Sequence, residues 1–190
     1  THDVPRLRHA STGREALELA QVDHFDLVIA ATHIGDMSVV DLARELRHGQ
    51  RVPVVALAYD ARDLASVADV PDAPNLDRAF LWQGDVGILP AIVKYVEDRR
   101  NVAHDAGALG VQAILVIEDN VRYYSAFLPT MYAELMQHAH HLVPESVNLS
   151  HRLMRLQAQP KILLCTSYEE AWQYFVEYEA NILGVISDVE

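Results

Sequence analysis

Several features that define common classes of protein are scarce in this sequence. Only one of the 190 residues is cysteine, Cys165, which excludes an internal disulfide and predicts a reducing, cytoplasmic environment. No apolar run approaches the roughly 18 residues that a membrane-spanning helix needs, and no charged-then-apolar leader is recognisable at the start. Glycine-rich loops that hold nucleotide phosphates are also missing. The sequence therefore favours neither a membrane protein nor a nucleotide-binding protein.

Basic residues are in the minority. The chain has 15 Lys and Arg against 27 Asp and Glu, a formal net charge of −12. Because affinity for nucleic-acid backbones comes mainly from Lys and Arg, we do not expect a nucleic-acid partner. Apolar residues make up 51% of the chain, which is enough to fill the core of one large domain or two modest ones.

Seven short runs rich in Val, Ile and Leu are candidate strands. Several are apolar without alternation, which is typical of strands covered on both faces. Helical patterns of ten to fifteen residues separate many of them, so the sequence predicts an α/β fold with a doubly wound parallel sheet. The candidates are "VPRLRHA" from Val4, "FDLVIAA" from Phe25, "RVPVVALAY" from Arg51, "RAFLW" from Arg78, "QAILVIE" from Gln112, "KILLC" from Lys161 and "NILGVIS" from Asn181.

An internal repeat organises the chain. The stretch "HASTGREALEL…DHFDLVIAATH" aligns with "LCTSYEEAWQY…EANILGVISDVE". Both copies contain a capping box that predicts the start of a helix. The alignment sets Ala31 in the first copy against Asp188 in the second, so one strand–helix–strand unit occurs twice and only the second carries an acid there. The capping boxes are Thr12 with Glu15 and Ser167 with Glu170.

Acidic residues stand at the ends of two candidate strands. Glu118 and Asp119 follow "ILVI", and Asp188 follows "LGVIS". Ligands of open parallel sheets bind beyond the carboxyl ends of the strands. If the two strands are neighbours, three carboxylates converge, and like charges about 4 Å apart cost roughly 4 kcal/mol at an effective dielectric near 20. Mg²⁺ relieves that repulsion, and Asp188 can then act as a nucleophile towards a phosphoryl group.

The alternative is that Glu118 and Asp119 form a solvated turn in which Asp119 caps the next helix, while Asp188 is only a cap or a turn residue.

The stretch "AILVIEDN", followed by a helix, a strand, a capped helix and "ILGVISD", resembles the receiver domain of two-component response regulators of the chemotaxis type. The resemblance implies a flavodoxin-like fold with strand order 2-1-3-4-5, and a cytoplasmic signalling domain that is not itself an enzyme. It implies phosphoryl transfer to Asp188 from a histidine kinase or phosphotransfer protein. It further implies that Glu118, Asp119, Asp188 and the backbone carbonyl of Glu190 bind Mg²⁺.

The first copy also resembles a receiver, but one without the chemical groups. In "DLVIAATHIGDM" Ala31 takes the acceptor position, and in "VPVVALAYD" Ala58 takes the place of the switch hydroxyl. In "RAFLWQGD" Gln83 replaces the lysine and Gly84 the usual cis-proline. The resemblance therefore implies a pseudo-receiver that cannot be phosphorylated.

The expected organisation is two incomplete receivers. Residues 1–100 form a degenerate receiver without its first strand, 101–111 a helical linker, and 112–190 strands one to three of a second receiver with an enlarged first crossover. The strand at 112–118 can alternatively complete the first sheet. In the crossover, 121–159, two helices are expected with a break near Pro144, and Pro129 is a candidate for a kink in the first.

Two other functions stay open at this point. The second receiver also resembles the regulatory region ahead of phosphoenolpyruvate-synthase-like modules. Alternatively, both receivers are inert and serve interaction, including a homodimer through receiver faces or the linker helix. For the aromatic helix "SYEEAWQYFVEY" we expect core packing rather than a partner surface, and the histidines are expected to be exposed helix residues rather than metal ligands: His138, His140, His141 and His151.

Overall fold

The α/β class is confirmed by a computed structural model that describes residues 6–49, 52–68, 76–141 and 159–188. Helices and strands alternate, and both three-stranded sheets are parallel. The elements in order are α1 Gly13–Val22, β1 Val28–Ala31, β2 His33–Ile34, β3 Met37–Ser38, α2 Val39–Gly49, β4 Val54–Ala58, α3 Ala61–Ala68, β5 Arg78–Leu81, α4 Ile88–Leu109, β6 Ala113–Ile117, α5 Val121–His141, β7 Lys161–Cys165, α6 Tyr168–Tyr178, a short 3-10 turn Glu179–Asn181, and β8 Ile182–Ser187.

The chain divides into two compact units, Thr1–Trp82 and Gln83–Glu190. In the first, the sheet has the order β1-β4-β5, and the small antiparallel hairpin of β2 and β3 leads into α2. Its core joins residues of α2 and β4, with Leu42, Ala43, Val54 and Ala56 all almost completely buried. Side chains of α1 pack against this cluster from outside.

In the second unit the sheet has the order β7-β6-β8. Leu115 in the middle of β6 pairs with Leu163 on one side and with Val185 on the other. The strand from the stretch 112–118 is therefore the centre of the second sheet, and the alternative that it completes the first sheet is wrong.

Six of the seven candidate strands form as predicted. The exception is the first, whose residues 6–10 have no regular structure. Within the described residues β1 pairs only with β4, and residues 6–10 add no strand to that sheet.

The boundary between the units lies earlier than the sequence predicts. Helix α4 is continuous through residues 101–109, where the sequence predicts a helical linker, and it contacts α5 and β7 of the second unit. Val102 and Ala106 are buried there in one cluster with Leu115 and Leu163. The apolar side of this helix therefore belongs to the second core, and the helix ends only at Gly110, which adopts a positive φ of 65°.

Both predicted capping boxes are present. In the first unit the Glu15 backbone N–H donates to the Thr12 hydroxyl at 3.1 Å, and the Glu15 carboxylate accepts from the Ser11 N–H at 2.7 Å. The second unit repeats these bonds at 3.2 and 2.9 Å, between Glu170 and the residues Ser167 and Thr166. The two aligned stretches thus share one local geometry at the start of their helices.

The enlarged crossover begins with α5, which contains Pro129 within its length. The predicted break near Pro144, the second helix and His151 lie outside the described residues, as do the side chains of His138, His140 and His141. Of the helices that the structure describes, none has both the length and the apolar character that crossing a bilayer requires.

Candidate functional site

The carboxyl ends of β6 and β8 lie side by side. Ile117, the last residue of β6, pairs with Ser187, the last residue of β8. The acidic residues follow immediately, so Glu118, Asp119 and Asp188 leave the sheet at the same edge. One carboxylate oxygen from each lies within 4.8 Å of the others. The structure therefore brings together the three side chains that the sequence singled out.

Glu118 is the most constrained of the three. Its side chain is buried, with a residue exposure of 6%, and its backbone N–H donates to the Cys165 carbonyl of β7 at 2.9 Å. Its carboxylate accepts from the Asn120 N–H at 2.9 Å, which fixes the direction in which that carboxylate points. Asp119 and Asp188 are exposed, so the cluster has a fixed inner member and two members that solvent can reach.

Asn120 caps the helix that follows. Its side-chain oxygen accepts from the Arg122 N–H at 3.0 Å, and its carbonyl accepts from the N–H groups of Tyr123 and Tyr124 at 3.0 and 3.2 Å. The capping role that the alternative assigned to Asp119 is thus performed by its neighbour. This leaves the Asp119 carboxylate available to a ligand.

The donor set suits a hard divalent cation. All three side chains offer carboxylate oxygens, which are the ligands that Mg²⁺ and Ca²⁺ prefer. Within the described ranges, none of the three carboxylates forms an ion pair with a basic side chain. The fourth predicted ligand, the carbonyl of Glu190, lies outside the described residues.

Among the residues that the structure describes, the corresponding edge of the first sheet has no such cluster. Ala31 ends β1 and the fully buried Ala58 ends β4, so methyl groups stand where the resemblance expects an acceptor and a hydroxyl. Gln83, at the expected lysine position, falls in the second unit, where its amide donates to the Arg122 carbonyl at 2.8 Å.

Two acidic residues near that edge of the first sheet are engaged as helix caps. The Asp36 carboxylate accepts from the N–H groups of Gly13 and Arg14 at 2.8 and 3.1 Å, and its bond to Gly13 above all lowers the pKa of Asp36. Asp60 accepts from the first N–H groups of α3, and these bonds lower its pKa as well. Sequence reasoning missed both roles. The position of Asp60 just before α3 is a detectable N-cap signal, whereas Asp36 acts on a helix more than twenty residues away.

No protein-family model matches the sequence, and no curated protein or solved structure is significantly similar to it. What the carboxylate cluster can do therefore follows from its own geometry. It joins an oriented, buried acid to two accessible ones, an arrangement suited to cation binding and to nucleophilic attack by an exposed carboxylate.

Proposed function

We propose that the second unit is a receiver-like signalling module that accepts a phosphoryl group on Asp188 in the presence of Mg²⁺. The observation that carries the proposal is the meeting of Glu118, Asp119 and Asp188 beyond two neighbouring parallel strands. The strand order supports it, because β7-β6-β8 is the order that a flavodoxin-like sheet requires for its second, first and third strands. In the first unit, β1-β4-β5 equally suits the third, fourth and fifth strands.

The three carboxylates have different parts in this function. Glu118, held by the Asn120 N–H, and the exposed Asp119 would bind the ion together with an oxygen of Asp188. The bound ion supplies positive charge that offsets the repulsion between these carboxylates and an incoming phosphoryl group. Asp188 stands at the exposed end of β8, where a donor can approach it.

The transfer balances with a phosphohistidine donor. A carboxylate oxygen of Asp188 attacks the phosphorus, a new P–O bond forms, and the P–N bond of the donor breaks. The electron pair of that bond leaves with the imidazole, which takes up a proton. The product is an acyl phosphate on Asp188, and a small acyl phosphate can serve as donor by losing its carboxylate instead.

The first unit has a different role in this proposal, that of a pseudo-receiver. Ala31 and Ala58 offer no acceptor and no hydroxyl, and the carboxylates of Asp36 and Asp60 are bound to helix N-termini. A domain of this kind can act only through the surface it presents. The alternative, that this chain is the regulatory region of a larger phosphoenolpyruvate-synthase-like enzyme, stays a prediction. Reading the open reading frame beyond Glu190 tests it.

Phosphate-affinity electrophoresis of the full-length protein tests the function. Incubation with acetyl phosphate and Mg²⁺ is expected to give a retarded band that disappears in Asp188→Asn and when Mg²⁺ is replaced by a chelator. Glu134→Gln, which removes an exposed carboxylate of α5, is the matched control and should keep the band. A band that persists in Asp188→Asn, or one absent from the wild-type protein, would contradict the proposal.

A further inference from the structure

The inner carboxylate of the cluster is held by the first turn of α5. The Asn120 N–H donates to the Glu118 carboxylate at 2.9 Å. The Asn120 side chain accepts from the Arg122 N–H at 3.0 Å, and the Asn120 carbonyl accepts from the Tyr123 N–H at 3.0 Å. The direction in which the Glu118 carboxylate points therefore depends on how this turn of backbone is placed.

Gln83 is hydrogen-bonded to the same turn from outside α5. Its side-chain amide donates to the Arg122 carbonyl at 2.8 Å, although the two residues are 39 positions apart in the chain. The peptide group that joins Arg122 to Tyr123 is thus bonded on both sides, since its carbonyl accepts from Gln83 and its N–H donates to the Asn120 carbonyl. A continuous path of hydrogen bonds therefore runs from Gln83 through this peptide and Asn120 to the Glu118 carboxylate.

The chain turns immediately after Gln83. Gly84 has a positive φ of 86°, a conformation that glycine adopts readily, and α4 begins at Ile88. Gln83 itself is exposed, so water can satisfy its amide when no protein group does. Because the amide reaches the Arg122 carbonyl instead, it ties the segment before α4 to the start of α5 within the second unit.

We propose that Gln83 is a positioning residue of the carboxylate cluster, which holds the first turn of α5 so that Glu118 points at the cation. This inference rests on the proposed function and adds to it a residue outside the cluster. Over the described part of the chain, the path of hydrogen bonds leads to Glu118 and includes neither Asp119 nor Asp188. Gln83 should therefore act on the cation only through Glu118.

Gln83→Met tests this role, because methionine has nearly the same length but offers no hydrogen-bond donor. Calorimetric titration of the full-length protein with Mg²⁺ should show an affinity about three- to tenfold weaker, which corresponds to the net free energy of one hydrogen bond. Gln173→Met makes the same change at an exposed glutamine of α6 and should bind Mg²⁺ like the wild-type protein. Equal affinities for Gln83→Met and Gln173→Met would show that Gln83 does not position the site.

A double-mutant cycle separates positioning from a general loss of stability. In the Glu118→Gln background, Gln83→Met should not weaken Mg²⁺ binding further, because the carboxylate that Gln83 positions is gone. In the Asp119→Asn background, the same change should still weaken binding about threefold or more, since Glu118 remains. Equal losses in the two backgrounds would mean that Gln83 does not act through Glu118, and the proposal would be wrong.

The Mg²⁺ dependence of phosphorylation by acetyl phosphate gives a second readout. In Gln83→Met the Mg²⁺ concentration for half-maximal rate should rise as much as the affinity falls, while the rate at saturating Mg²⁺ stays unchanged, because Asp188 is untouched. A lower rate at saturating Mg²⁺ with an unchanged half-maximal concentration contradicts the assigned role.

The same experiments distinguish this proposal from the proposed function. If the wild-type protein binds Mg²⁺ less tightly after Gln83→Met but is never phosphorylated, the positioning role stands and phosphoryl transfer to Asp188 is wrong. If the wild-type protein is phosphorylated and Gln83→Met changes neither affinity nor rate, only the role of Gln83 is wrong. If the wild-type protein binds no Mg²⁺, both are wrong.

Discussion

Asp36 and Asp188 both come shortly after a β-strand, yet their surroundings give them different chemistry. Asp36 accepts two backbone N–H bonds at the start of α1, so its negative charge is already stabilised. Asp188 is exposed and has the carboxylates of Glu118 and Asp119 as neighbours. An acid that is satisfied by a helix N-terminus is a structural group, whereas for the acid among other acids we propose a role in cation binding.

The role of Asp36 predicts a pH-dependent effect on stability. Its pKa is lowered in the folded chain, mainly by the bond from the Gly13 N–H, with burial opposing the shift. The stabilisation is therefore present above the ordinary Asp pKa near 4 and is lost as the pH falls through the lowered value. Thermal melts should show Asp36→Asn to be less stable than wild type at pH 7, with the difference vanishing in strong acid. A difference that is constant with pH would show that the charge of Asp36 does not matter.

Helix α4 covers one edge of the second sheet. β7 is an edge strand, and its Ile162 N–H donates to the buried Asp98 carboxylate of α4 at 2.9 Å. Lys94 and Lys161 lie 3.2 and 3.6 Å from the other oxygen of Asp98. Burial raises the pKa of Asp98 in spite of these lysines and of the Ile162 bond. The helix thus occupies a strand edge that otherwise offers a template for aggregation.

This contact predicts an unequal effect of two neighbouring substitutions. Asp98→Ala leaves the buried Ile162 N–H without its partner, while Lys161 keeps Asp105 at 2.8 Å, and the change should lower the free energy of unfolding by about 1–3 kcal/mol. Glu97→Ala removes only the exposed partner of Lys94 and should cost less than about 1 kcal/mol. Urea titrations measure both values. Similar losses for the two variants would mean that α4 is not held through Asp98.

The elements themselves were largely predictable, because apolar runs and capping boxes are local patterns. Ser167 with Glu170 marks the start of α6 correctly, and "ILVI" marks β6. The attachment of α4 was not predictable, since an amphipathic pattern shows that a helix has an apolar side but not which sheet that side covers. For the same reason the pattern of α6 did not reveal that Trp172 faces outward. The proximity of Glu118 and Asp188 could be predicted only from the internal repeat and from the rule that ligands of open parallel sheets bind beyond the carboxyl ends of the strands.

The chain divides into its two units between Trp82 and Gln83. The predicted boundary near residue 100 would cut through α4, between Asp98 and the buried Val102. A chain that begins after residue 100 would therefore lose Asp98, expose the edge of β7, and lack the buried side chains of the first half of α4.

Fragments with different starting points test this division. A chain from Gln83 to the end of the full-length protein should fold and keep its carboxylate cluster, whereas one from Asn101 should be unfolded or aggregated. Circular dichroism melts and size-exclusion chromatography distinguish the two results. If both fragments melt cooperatively at the same temperature, the first half of α4 is not part of the second unit.

We propose that Glu118, Asp119 and Asp188 hold one divalent cation together. Calorimetric titration of the full-length protein with Mg²⁺ measures this directly. We expect one site in the wild-type protein and in Glu134→Gln, and at least about a tenfold loss of affinity in Asp119→Asn and in Asp188→Asn, because each removes a charged ligand. Unchanged Mg²⁺ binding in both ligand variants, or no binding by the wild-type protein, would contradict the account.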